Sequence, residues 1–343
     1  MSESMRAVVL GEQKTLSVCE IEKPVPGRGQ LLLRVRACGI CGSDLHAVDT
    51  GYAAVGTVLG HEFAGEVAAI GEGVGDHLSV GDRVNGVGAL FCGECEKCQA
   101  HRYEECAGFR TIGFDPEVPG GYAEYMLVSA GAVFKVPDNV SDSDAAAVEP
   151  LAVGYSTYCD GKVEPGQSVL IIGAGPIGTA VAQWARYFGA RHVGISDLNE
   201  QRLKRAGKAG ADVLINAAEE SDPVAAMQVK TGVTPAVIFE CTGVPGMVSR
   251  LIEAAPLKAH LVLAGTGIEE EAITVLSAAM KKLRMSFCFG YEPELFPVVL
   301  GLLEEGRIDT QHIVTGTVGL DQVPEIFETL KKPNSHGKVI IEP

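Results

Sequence analysis

A glycine-rich turn near the middle of the chain constrains the fold more than any other feature of the sequence. The turn comprises Gly173, Ala174, Gly175, Pro176, Ile177 and Gly178, in the pattern GxGxxG. It follows the apolar run SVLII and precedes residues 177–188, whose apolar members recur at helical spacing. The first glycine permits a tight turn, the second lets the backbone approach a pyrophosphate, and the third lets helix and strand pack closely. The pattern predicts a dinucleotide-binding strand–turn–helix unit, with a purely structural glycine turn as the alternative.

Short apolar segments continue after this turn at intervals long enough for helices. HVGIS, ADVLIN, PAVIFEC and HLVLAG predict further strands, and the alternation predicts a parallel sheet with helices on both faces. Before about residue 150 the pattern differs, since apolar runs such as Arg6–Leu10, Leu31–Ala37 and Val67–Ile70 lie between Gly, Pro or Asp residues. We therefore expect an α/β fold class in which a β-rich domain accompanies a doubly wound parallel-sheet domain.

An acidic residue at the end of the second strand bears on the choice of dinucleotide. Asp197 lies 24 positions after Gly173, near the spacing of about 20 at which a carboxylate binds the ribose of NAD. A carboxylate there accepts ribose hydroxyl groups and repels the extra phosphate of NADP. Arg202 is close by in the sequence and could receive that phosphate. The residues alone therefore leave the choice between NAD and NADP open.

The composition restricts the partners of the chain. Lys and Arg total 28 against 44 for Asp and Glu, which gives a formal net charge of −16 with no basic block. Nucleic acid and anionic membranes are therefore poor partners. No apolar run reaches the ~18 residues that a membrane span needs, and the N-terminal segment lacks the apolar stretch of a secretory signal. We expect a cytoplasmic protein with reduced thiols that binds neither nucleic acid nor membrane.

Four of the ten cysteines are clustered in the segment CGECEKCQAHRYEEC. Their spacing is C-x2-C-x2-C-x7-C, at Cys92, Cys95, Cys98 and Cys106. Such close spacing lets one loop surround a tetrahedral Zn²⁺ with four thiolates, and a closed shell of this kind is structural. Redox-active thiols and an iron–sulfur cluster are the alternatives, although the bacterial ferredoxin pattern ends in Cys-Pro and Ala107 follows the last cysteine here. The pattern favours a structural zinc lobe at about residues 91–107.

Three further segments contain side chains that bind metals, at widely separated positions. CGICGSDLH contains Cys41, GHEFAG contains His61, and EPLAVG begins with Glu149. A thiolate, an imidazole and a carboxylate would leave one position of a tetrahedral zinc open, as in catalytic zinc sites. Spacing alone cannot bring these three residues together, and a lone Cys or His is more often a packing residue.

Several separated motifs nevertheless occur together in one order. GHEFAGEVAAIG, GDRV, the four-cysteine lobe and GAGPIG follow one another as in the zinc-dependent medium-chain dehydrogenase/reductase family, which the chain resembles from RAVVL to its end. The family includes alcohol, sorbitol, threonine and butanediol dehydrogenases. The resemblance implies a GroES-like catalytic domain over residues 1–152 and a Rossmann domain over residues 153–290. It also implies a C-terminal return to the catalytic domain over residues 291–343.

The resemblance also implies the ligands of a catalytic zinc. Cys41 and His61 resemble its thiolate and imidazole ligands. Typical alcohol dehydrogenases have a second Cys as third ligand, whereas this chain has Glu149, as in the sorbitol-like branch. In that branch Glu62 can also bind zinc, so both glutamates are candidates. We expect Asp44 only to brace the loop.

The remaining implied site residues bind the dinucleotide or move a proton. Ser43 and His46 resemble the pair that relays the substrate proton to solvent. The candidate cofactor-binding residues are Gly173, Gly175, Pro176, Ile177, Gly178, Asp197, Arg202, Thr242, Ala264, Gly265, Thr266 and Phe289. The sorbitol-like branch keeps both the Asp and the Arg and uses NAD, so the resemblance favours NAD as the cofactor. The resemblance also implies two Zn²⁺ per chain, one catalytic and one in the four-cysteine lobe. Zinc would hold an alkoxide while hydride passes to nicotinamide C4.

The substrate is the least determined part of this interpretation. Sorbitol-like enzymes have an Arg that reaches polyol hydroxyls where this chain has Gly290, between Phe289 and Tyr291. We therefore expect a secondary alcohol or diol with apolar parts, oxidised reversibly to a ketone. Polyol or L-threonine oxidation is the alternative, and the two aromatic residues could instead pack at the domain interface. A zinc-free quinone reductase or a non-catalytic cofactor-binding protein is the alternative from another class.

The resemblance also implies an assembly of identical chains, either a homodimer or a homotetramer.

Overall fold

Short strands dominate the first part of the chain, and strands alternate with helices in the second. The computed structural model describes residues 3–100, 102–265, 267 and 270–343. In the first part the elements are β1 (Ser4–Leu10), β2 (Leu16–Glu22), β3 (Gln30–Gly39), α1 (Gly42–Thr50), β4 (Glu62–Ile70), β5 (Arg83–Gly86), β6 (Ala89–Leu90), α2 (Glu96–Gln99), β7 (Arg110–Thr111), β8 (Tyr125–Ser129), β9 (Val133–Lys135), α3 (Asp142–Ala146) and α4 (Val148–Asp160). They continue with β10 (Val169–Ile172), α5 (Pro176–Tyr187), β11 (Val193–Asp197), α6 (Glu200–Ala209), β12 (Val213–Asn216), α7 (Pro223–Thr231), β13 (Val237–Glu240), α8 (Met247–Ala254), β14 (His260–Leu263), α9 (Val275–Met280), β15 (Arg284–Phe287), α10 (Leu295–Glu304), β16 (Val314–Val318), α11 (Val323–Leu330) and β17 (Lys338–Ile341). Among these described residues, no helix combines the length and the apolar character that crossing a membrane requires.

The first part of the chain forms a largely antiparallel sheet around the long strand β3. The sheet order is β16-β17-β3-β4-β5-β9, and β8 also pairs with β3. Buried side chains of these strands, among them Leu31, Leu33 and Phe63, belong to one apolar core. β17 pairs antiparallel with β3 although it comes from the end of the chain, so C-terminal residues complete this sheet. The predicted β-rich domain is confirmed.

The second part forms a parallel sheet of six strands in the order β12-β11-β10-β13-β14-β15. All five neighbouring pairs are parallel. β10 is buried along its whole length, as an inner parallel strand covered on both faces should be. The strand order reverses between β10 and β13, and ligands bind at the carboxyl ends of the strands at such a switch point. The predicted doubly wound α/β architecture is confirmed.

Helix α4 connects the two parts of the molecule. Its first turn holds Glu149, and its later residues pack against α5. The Trp184 indole N–H, fully buried on α5, donates a hydrogen bond to the Leu151 carbonyl at 2.9 Å. The predicted domain boundary at residue 152 therefore falls inside a helix that contacts both parts.

Candidate active site

Cys41 precedes helix α1 in a turn held by a buried carboxylate. Asp44, in the first turn of α1, accepts a hydrogen bond from the Cys41 backbone N–H at 2.9 Å. The Asp44 side chain also accepts a bond from the Tyr122 hydroxyl at 2.7 Å and is completely buried. These two bonds tie the turn to the core of the β-rich part and fix the backbone at Cys41.

A left-handed glycine places His61 and Glu62 at the start of strand β4. Gly60 has a φ of 102°, a conformation that residues with a side chain rarely adopt. A Cβ at this position would lie 2.5 Å from the Tyr122 ring and 2.8 Å from Cys38 Sγ, so there is no room for one. The motif GHE therefore requires its glycine both for the turn and for the close packing beneath it.

The imidazole of His61 has a different polar neighbour at each nitrogen. Nδ1 lies 3.4 Å from Asp44 Oδ1, and Nε2 lies 3.4 Å from Ser43 Oγ. Burial alone would lower the pKa of His61, but the Asp44 carboxylate and the nearby Cys41 raise it well above its usual range. A carboxylate at one imidazole nitrogen is the arrangement that orients metal-binding histidines. Asp44, which the sequence suggested only as a brace, thus also positions His61.

Three metal-binding side chains converge next to this turn. One ligand atom from each of Cys41, His61 and Glu62 lies within 4.8 Å of the other two. Glu62 Oε1 accepts a hydrogen bond from Lys338 Nζ at 2.5 Å, while the buried Oε2 has no partner among the described residues. A thiolate, an imidazole and a carboxylate with a spare oxygen are donors that zinc accepts. The donor set therefore fits the zinc ion that the sequence predicts.

Glu149, the other predicted carboxylate ligand, lies near this group but is not part of it. The side chain is 8% exposed, in the first turn of α4. Burial, followed by the neighbouring Glu62 carboxylate, raises the pKa of Glu149 to about 7. Two carboxyl groups that interact in a buried site are unfavourable when both are ionised, and a cation relieves this repulsion. The structure groups Glu62 with Cys41 and His61, and both glutamates stay candidate ligands.

Aromatic rings border the candidate metal centre on one side. The Phe114 ring packs against the His61 ring with 5.2 Å between centroids, and Tyr52 meets Phe114 edge-on at 6.3 Å. Tyr52 lies in the loop that follows α1. The sequence gave no sign of Phe114, because this residue lies in a distant loop with no motif around it. The result is an apolar wall beside the imidazole.

The four-cysteine lobe has the dimensions of a tetrahedral metal site. The sulfur atoms of Cys95 and Cys98 are 3.5 Å apart, those of Cys92 and Cys106 are 3.5 Å apart, and those of Cys92 and Cys98 are 3.8 Å apart. Zinc with Zn–S bonds of about 2.3 Å separates tetrahedral sulfurs by about 3.8 Å. A disulfide needs sulfurs about 2.05 Å apart, so these thiols are unbridged.

The electrostatics of the lobe also favour a bound cation. Backbone N–H groups, including that of Gly108 at 3.3 Å from Cys106 Sγ, lower the pKa of Cys106 to about 6. Burial, together with the neighbouring sulfurs, raises the pKa of Cys98 to about 12. The four thiols therefore cannot all ionise unaided, whereas a divalent cation would stabilise four thiolates together.

The glycine turn has the shape that a dinucleotide needs. A Cβ at Gly178 would lie 1.8 Å from the Gly173 carbonyl, and a Cβ at Gly173 would lie 2.7 Å from Thr242 Cγ2. A Cβ at Gly175 would meet nothing within 4 Å, so the backbone there is open to a ligand. An adjoining cavity of about 870 Å³ is lined by residues that include Gly173, Gly175, Asp197, Arg202 and Thr242. These predicted cofactor residues thus share one cavity at the switch point of the sheet.

Glu240, which the sequence did not single out, joins two loops that contain the predicted cofactor-binding residues Thr242, Ala264 and Gly265. Glu240, at the end of β13, is buried, and its carboxylate accepts a hydrogen bond from the Thr242 backbone N–H at 2.7 Å. Its backbone carbonyl accepts bonds from the N–H groups of Ala264 and Gly265 at 2.8 and 2.9 Å. Glu240 therefore organises both loops, and only its position at the end of a buried strand could have indicated this.

Other predicted site residues are less closely assembled. Pro176 and Ile177 form the first turn of α5 beside the cavity and are partly buried. His46 is exposed on α1. The Phe289 side chain is 94% exposed beyond β15, so the structure does not bring it to the cavity. Thr266 lies outside the described residues.

Comparison with known proteins agrees with this geometry. Residues 27–138 match the family model described as the alcohol dehydrogenase GroES-like domain, and residues 176–305 match the model described as zinc-binding dehydrogenase. An L-threonine 3-dehydrogenase from Idiomarina loihiensis is 36% identical over 330 residues, which cover 94% of each chain. The chain belongs to the zinc-dependent medium-chain alcohol dehydrogenase family. The family prediction made from the sequence is confirmed.

Solved structures of dehydrogenases match nearly the whole chain. The 2R,3R-butanediol dehydrogenase from Bacillus subtilis is 30% identical with a TM-score of 0.86, and the match covers 99% of this chain and 100% of that one. A protein named as a short chain alcohol dehydrogenase from Escherichia coli CFT073, complexed with the cofactor NADH, is 28% identical with a TM-score of 0.88 and 99% coverage of both chains. This member of the family is accordingly an oxidoreductase of the zinc-dependent type.

Proposed function

We propose that the chain is an NAD-dependent dehydrogenase that interconverts a secondary alcohol or diol and the corresponding ketone. The observation that carries this proposal is the convergence of donor atoms from Cys41, His61 and Glu62 within 4.8 Å. Three protein ligands, with Glu62 or Glu149 as the carboxylate, leave one zinc position for the substrate oxygen. The four-cysteine lobe would hold a second zinc ion in a structural role. A location in the cytoplasm stays a prediction from the sequence.

The residues around the centre have separate tasks in this mechanism. Zinc held there would supply Lewis acidity, and a bound nicotinamide would accept the hydride. Asp44 keeps His61 in one orientation through Nδ1. Ser43 Oγ, 3.4 Å from His61 Nε2, would accept the proton of the substrate hydroxyl as it passes its own hydroxyl proton on toward His46. His46, exposed about one turn further along α1, returns that proton to solvent.

NAD is the proposed cofactor because of the carboxylate at the end of β11. Asp197 Oδ2 accepts a hydrogen bond from the Ala174 N–H and Oδ1 accepts one from the Asn199 N–H, each at 2.8 Å. These bonds hold the carboxylate beside the glycine turn. In that position it would accept ribose hydroxyl groups and repel a 2′-phosphate. Arg202, which lines the same cavity, is the residue that would favour NADP.

The surroundings of the centre support a neutral substrate with an apolar part. Phe114 packs against His61 and presents an apolar face. Lys338 is buried and bonded to Glu62, so its ammonium group is already neutralised. A substrate carboxylate would need a free cation, which argues for an alcohol or diol such as 2,3-butanediol. L-Threonine is the second candidate because a 36% identical relative is named for its oxidation.

Initial rates of NAD reduction with 2,3-butanediol, L-threonine and sorbitol test this proposal. We expect the highest kcat/KM with 2,3-butanediol and no reaction in the Cys41→Ser variant. A clear preference for L-threonine or sorbitol would contradict the proposed substrate class. Turnover of a quinone with NADPH by enzyme that lacks zinc would contradict the dehydrogenase itself.

A homo-oligomer is the proposed assembly, with the edge of the parallel sheet as its interface. β15 is the last strand of that sheet, and Phe287 at its end is 81% exposed. Met280 and Leu276 on the adjoining helix α9 are 73% and 68% exposed. An unpaired strand with exposed apolar neighbours is a surface that a second copy of the chain can cover. Size measurements on single-residue variants of this edge, described below, test this assembly.

A further inference from the structure

A C-terminal segment of the chain reaches α6, the helix that follows the proposed ribose-binding residue Asp197. Arg202 Nη2 on α6 donates a hydrogen bond to Asn334 Oδ1 at 3.1 Å. Asn199 Nδ2, just before α6, donates to the Asn334 carbonyl at 3.3 Å. Arg205 donates to the Ser335 carbonyl from the next turn of the helix. The corner formed by residues 334–336 therefore contacts α6 through both side chain and backbone.

The contact falls on Arg202, the residue that would favour NADP in the proposed site. Arg202 and Asp197 line the same cavity, so a 2′-hydroxyl or a 2′-phosphate would lie near both. Arg202 Nε is buried and has no partner among the described residues. Because Nη2 is occupied by Asn334, the guanidinium has fewer free N–H groups for an anion than an unconstrained arginine would have.

The geometry points to Asn334 as a residue that determines cofactor specificity. Arginine binds a phosphate most strongly through two parallel N–H groups, which requires freedom to turn its planar end toward the anion. The Asn334 amide oxygen holds that planar end against the C-terminal segment, and this disfavours the 2′-phosphate of NADP. Ribose hydroxyl groups are bound by Asp197 and do not need the guanidinium. Asn334 thus biases the site toward NAD, and this inference rests on the proposed use of a dinucleotide.

A purely structural role for Asn334 makes a different prediction. Its Nδ2 donates to the Lys332 carbonyl at 2.7 Å and to the Leu330 carbonyl at 3.1 Å, and its Oδ1 also accepts from the His336 N–H at 2.9 Å. If Asn334 only braced this corner, its loss would change the stability of the enzyme and the affinity for both dinucleotides alike. A specificity role changes the ratio of the two affinities.

Dissociation constants of NADH and NADPH, measured by nicotinamide fluorescence without any alcohol, separate these roles. We expect Asn334→Ala to tighten NADPH binding by about tenfold, the scale of one hydrogen bond to a charged group, with NADH affinity nearly unchanged. Asn334→Ser replaces this test if the alanine variant folds poorly. Its hydroxyl is too short to reach the guanidinium in the same way, so it should also tighten NADPH binding. An unchanged NADPH to NADH ratio in a folded variant overturns the proposal.

Two further variants make the test specific to the Arg202 contact. Asn199→Ser replaces the amide oxygen that caps α6 with a hydroxyl that can also cap, but it loses the bond to the Asn334 carbonyl, so it loosens the corner and should leave the ratio unchanged. In an Arg202→Ala background, Asn334→Ala should give no gain in NADPH affinity, as a double-mutant cycle requires for a shared contact. A gain that persists without Arg202 overturns the proposal. Wild-type enzyme that binds neither dinucleotide would overturn the proposed function as well, whereas an unchanged ratio leaves that function intact.

Discussion

Asp44 connects several parts of the candidate metal centre through one buried carboxylate. It accepts bonds from the Cys41 N–H and the Tyr122 hydroxyl, and it faces His61 Nδ1 at 3.4 Å. Burial would raise the pKa of Asp44, but His61 and the bonds from Tyr122 and Cys41 together lower it. The carboxylate therefore stays ionised and favours the imidazole orientation in which Nδ1 faces Asp44 and the lone pair of Nε2 can bind a metal.

Asp44→Asn should weaken zinc binding at the catalytic centre by about 10- to 100-fold, the usual effect of losing a carboxylate behind a metal-binding histidine. An amide keeps the size of the side chain but loses the charge that orients His61. Competition with a chelator of known zinc affinity, read out as bound zinc, measures the change. Zinc in the four-cysteine lobe is the internal control, and its binding affinity should not change. Unchanged affinity at the centre would show that Asp44 only braces the loop.

Lys338 and Glu62 form an ion pair inside the protein. Their side chains are 2% and 1% exposed, and Lys338 Nζ also donates to the Ile40 carbonyl at 3.0 Å. Burial would lower the pKa of Lys338, but the Glu62 carboxylate raises it. Removing one member of such a pair leaves a buried charge without compensation.

Lys338→Met should destabilise the enzyme by about 3–5 kcal/mol, the range for breaking a buried ion pair from one side. Chemical denaturation measures the free energy of unfolding. Lys331→Met is the matched control, because Lys331 pairs with Asp49 and Glu328 near the surface and its loss should cost at most about 1 kcal/mol. Adding Glu62→Gln to Lys338→Met should recover part of the loss. Equal effects of the two lysine variants would contradict a buried pair.

The sequence could predict ligand types at the centre but not their supporting contacts. Cys41 and His61 belong to recognisable motifs, so their part in a metal site was predictable from the family resemblance. Lys338 and Glu62 are 276 positions apart, and only the pairing of β17 with β3 brings them together. Phe114 and Asp44 likewise act through tertiary contacts. No local pattern specifies such contacts, because they depend on how distant strands pair.

The four-cysteine lobe is an element whose stability should depend on its metal. Its described residues include only short helical pieces, the four-residue helix α2 and a single 3-10 turn at Tyr103–Glu105, and the sulfurs lie 3.5–3.8 Å apart. A loop with so little regular structure gains much of its folding energy from zinc, about 10–16 kcal/mol of apparent binding energy in comparable peptides.

Chelators should therefore remove catalytic zinc before structural zinc. The lobe would offer a closed shell of four thiolates, whereas the proposed catalytic centre would have three protein ligands, one of them a harder carboxylate. Dialysis against dipicolinate, with zinc measured over time, should show one rapid and one slow loss per chain. Cys98→Ser should abolish the slow component and Cys41→Ser the rapid one. Loss of both ions at the same rate would contradict the assignment.

Among the secondary-structure elements, those of the parallel sheet were the most predictable from the sequence. Its strands are continuous apolar runs, and the glycine turn fixes where β10 ends and α5 begins. The antiparallel part was predictable only as β-rich. Its strand order depends on β17 returning from the C-terminus to pair with β3, which apolar patterning does not specify. The sequence did not indicate that the predicted domain boundary at residue 152 lies within α4, because one continuous helix contacts both parts of the molecule.

The exposed edge of the parallel sheet at β15 should control the assembly of the chain into a homo-oligomer. Phe287→Asp places a charge on the proposed interface and should convert the oligomer to monomers, since a buried unpaired charge disfavours association. Light scattering after size-exclusion chromatography measures the mass. Val229→Asp is the matched control, because Val229 is 86% exposed on α7, which packs beside β12 at the opposite edge of the sheet. An unchanged mass of the Phe287→Asp variant would place the interface elsewhere.

We infer that distant segments of the chain form an open zinc site at Cys41, His61 and Glu62, separate from the closed zinc site of the four-cysteine lobe. Zinc content per chain, measured on wild-type enzyme and on Cys41→Ser, tests this most directly. We predict two zinc ions in the wild type and one in the variant. One ion in both proteins would mean that only the four-cysteine lobe binds metal, and that Cys41, His61 and Glu62 do not form a catalytic centre.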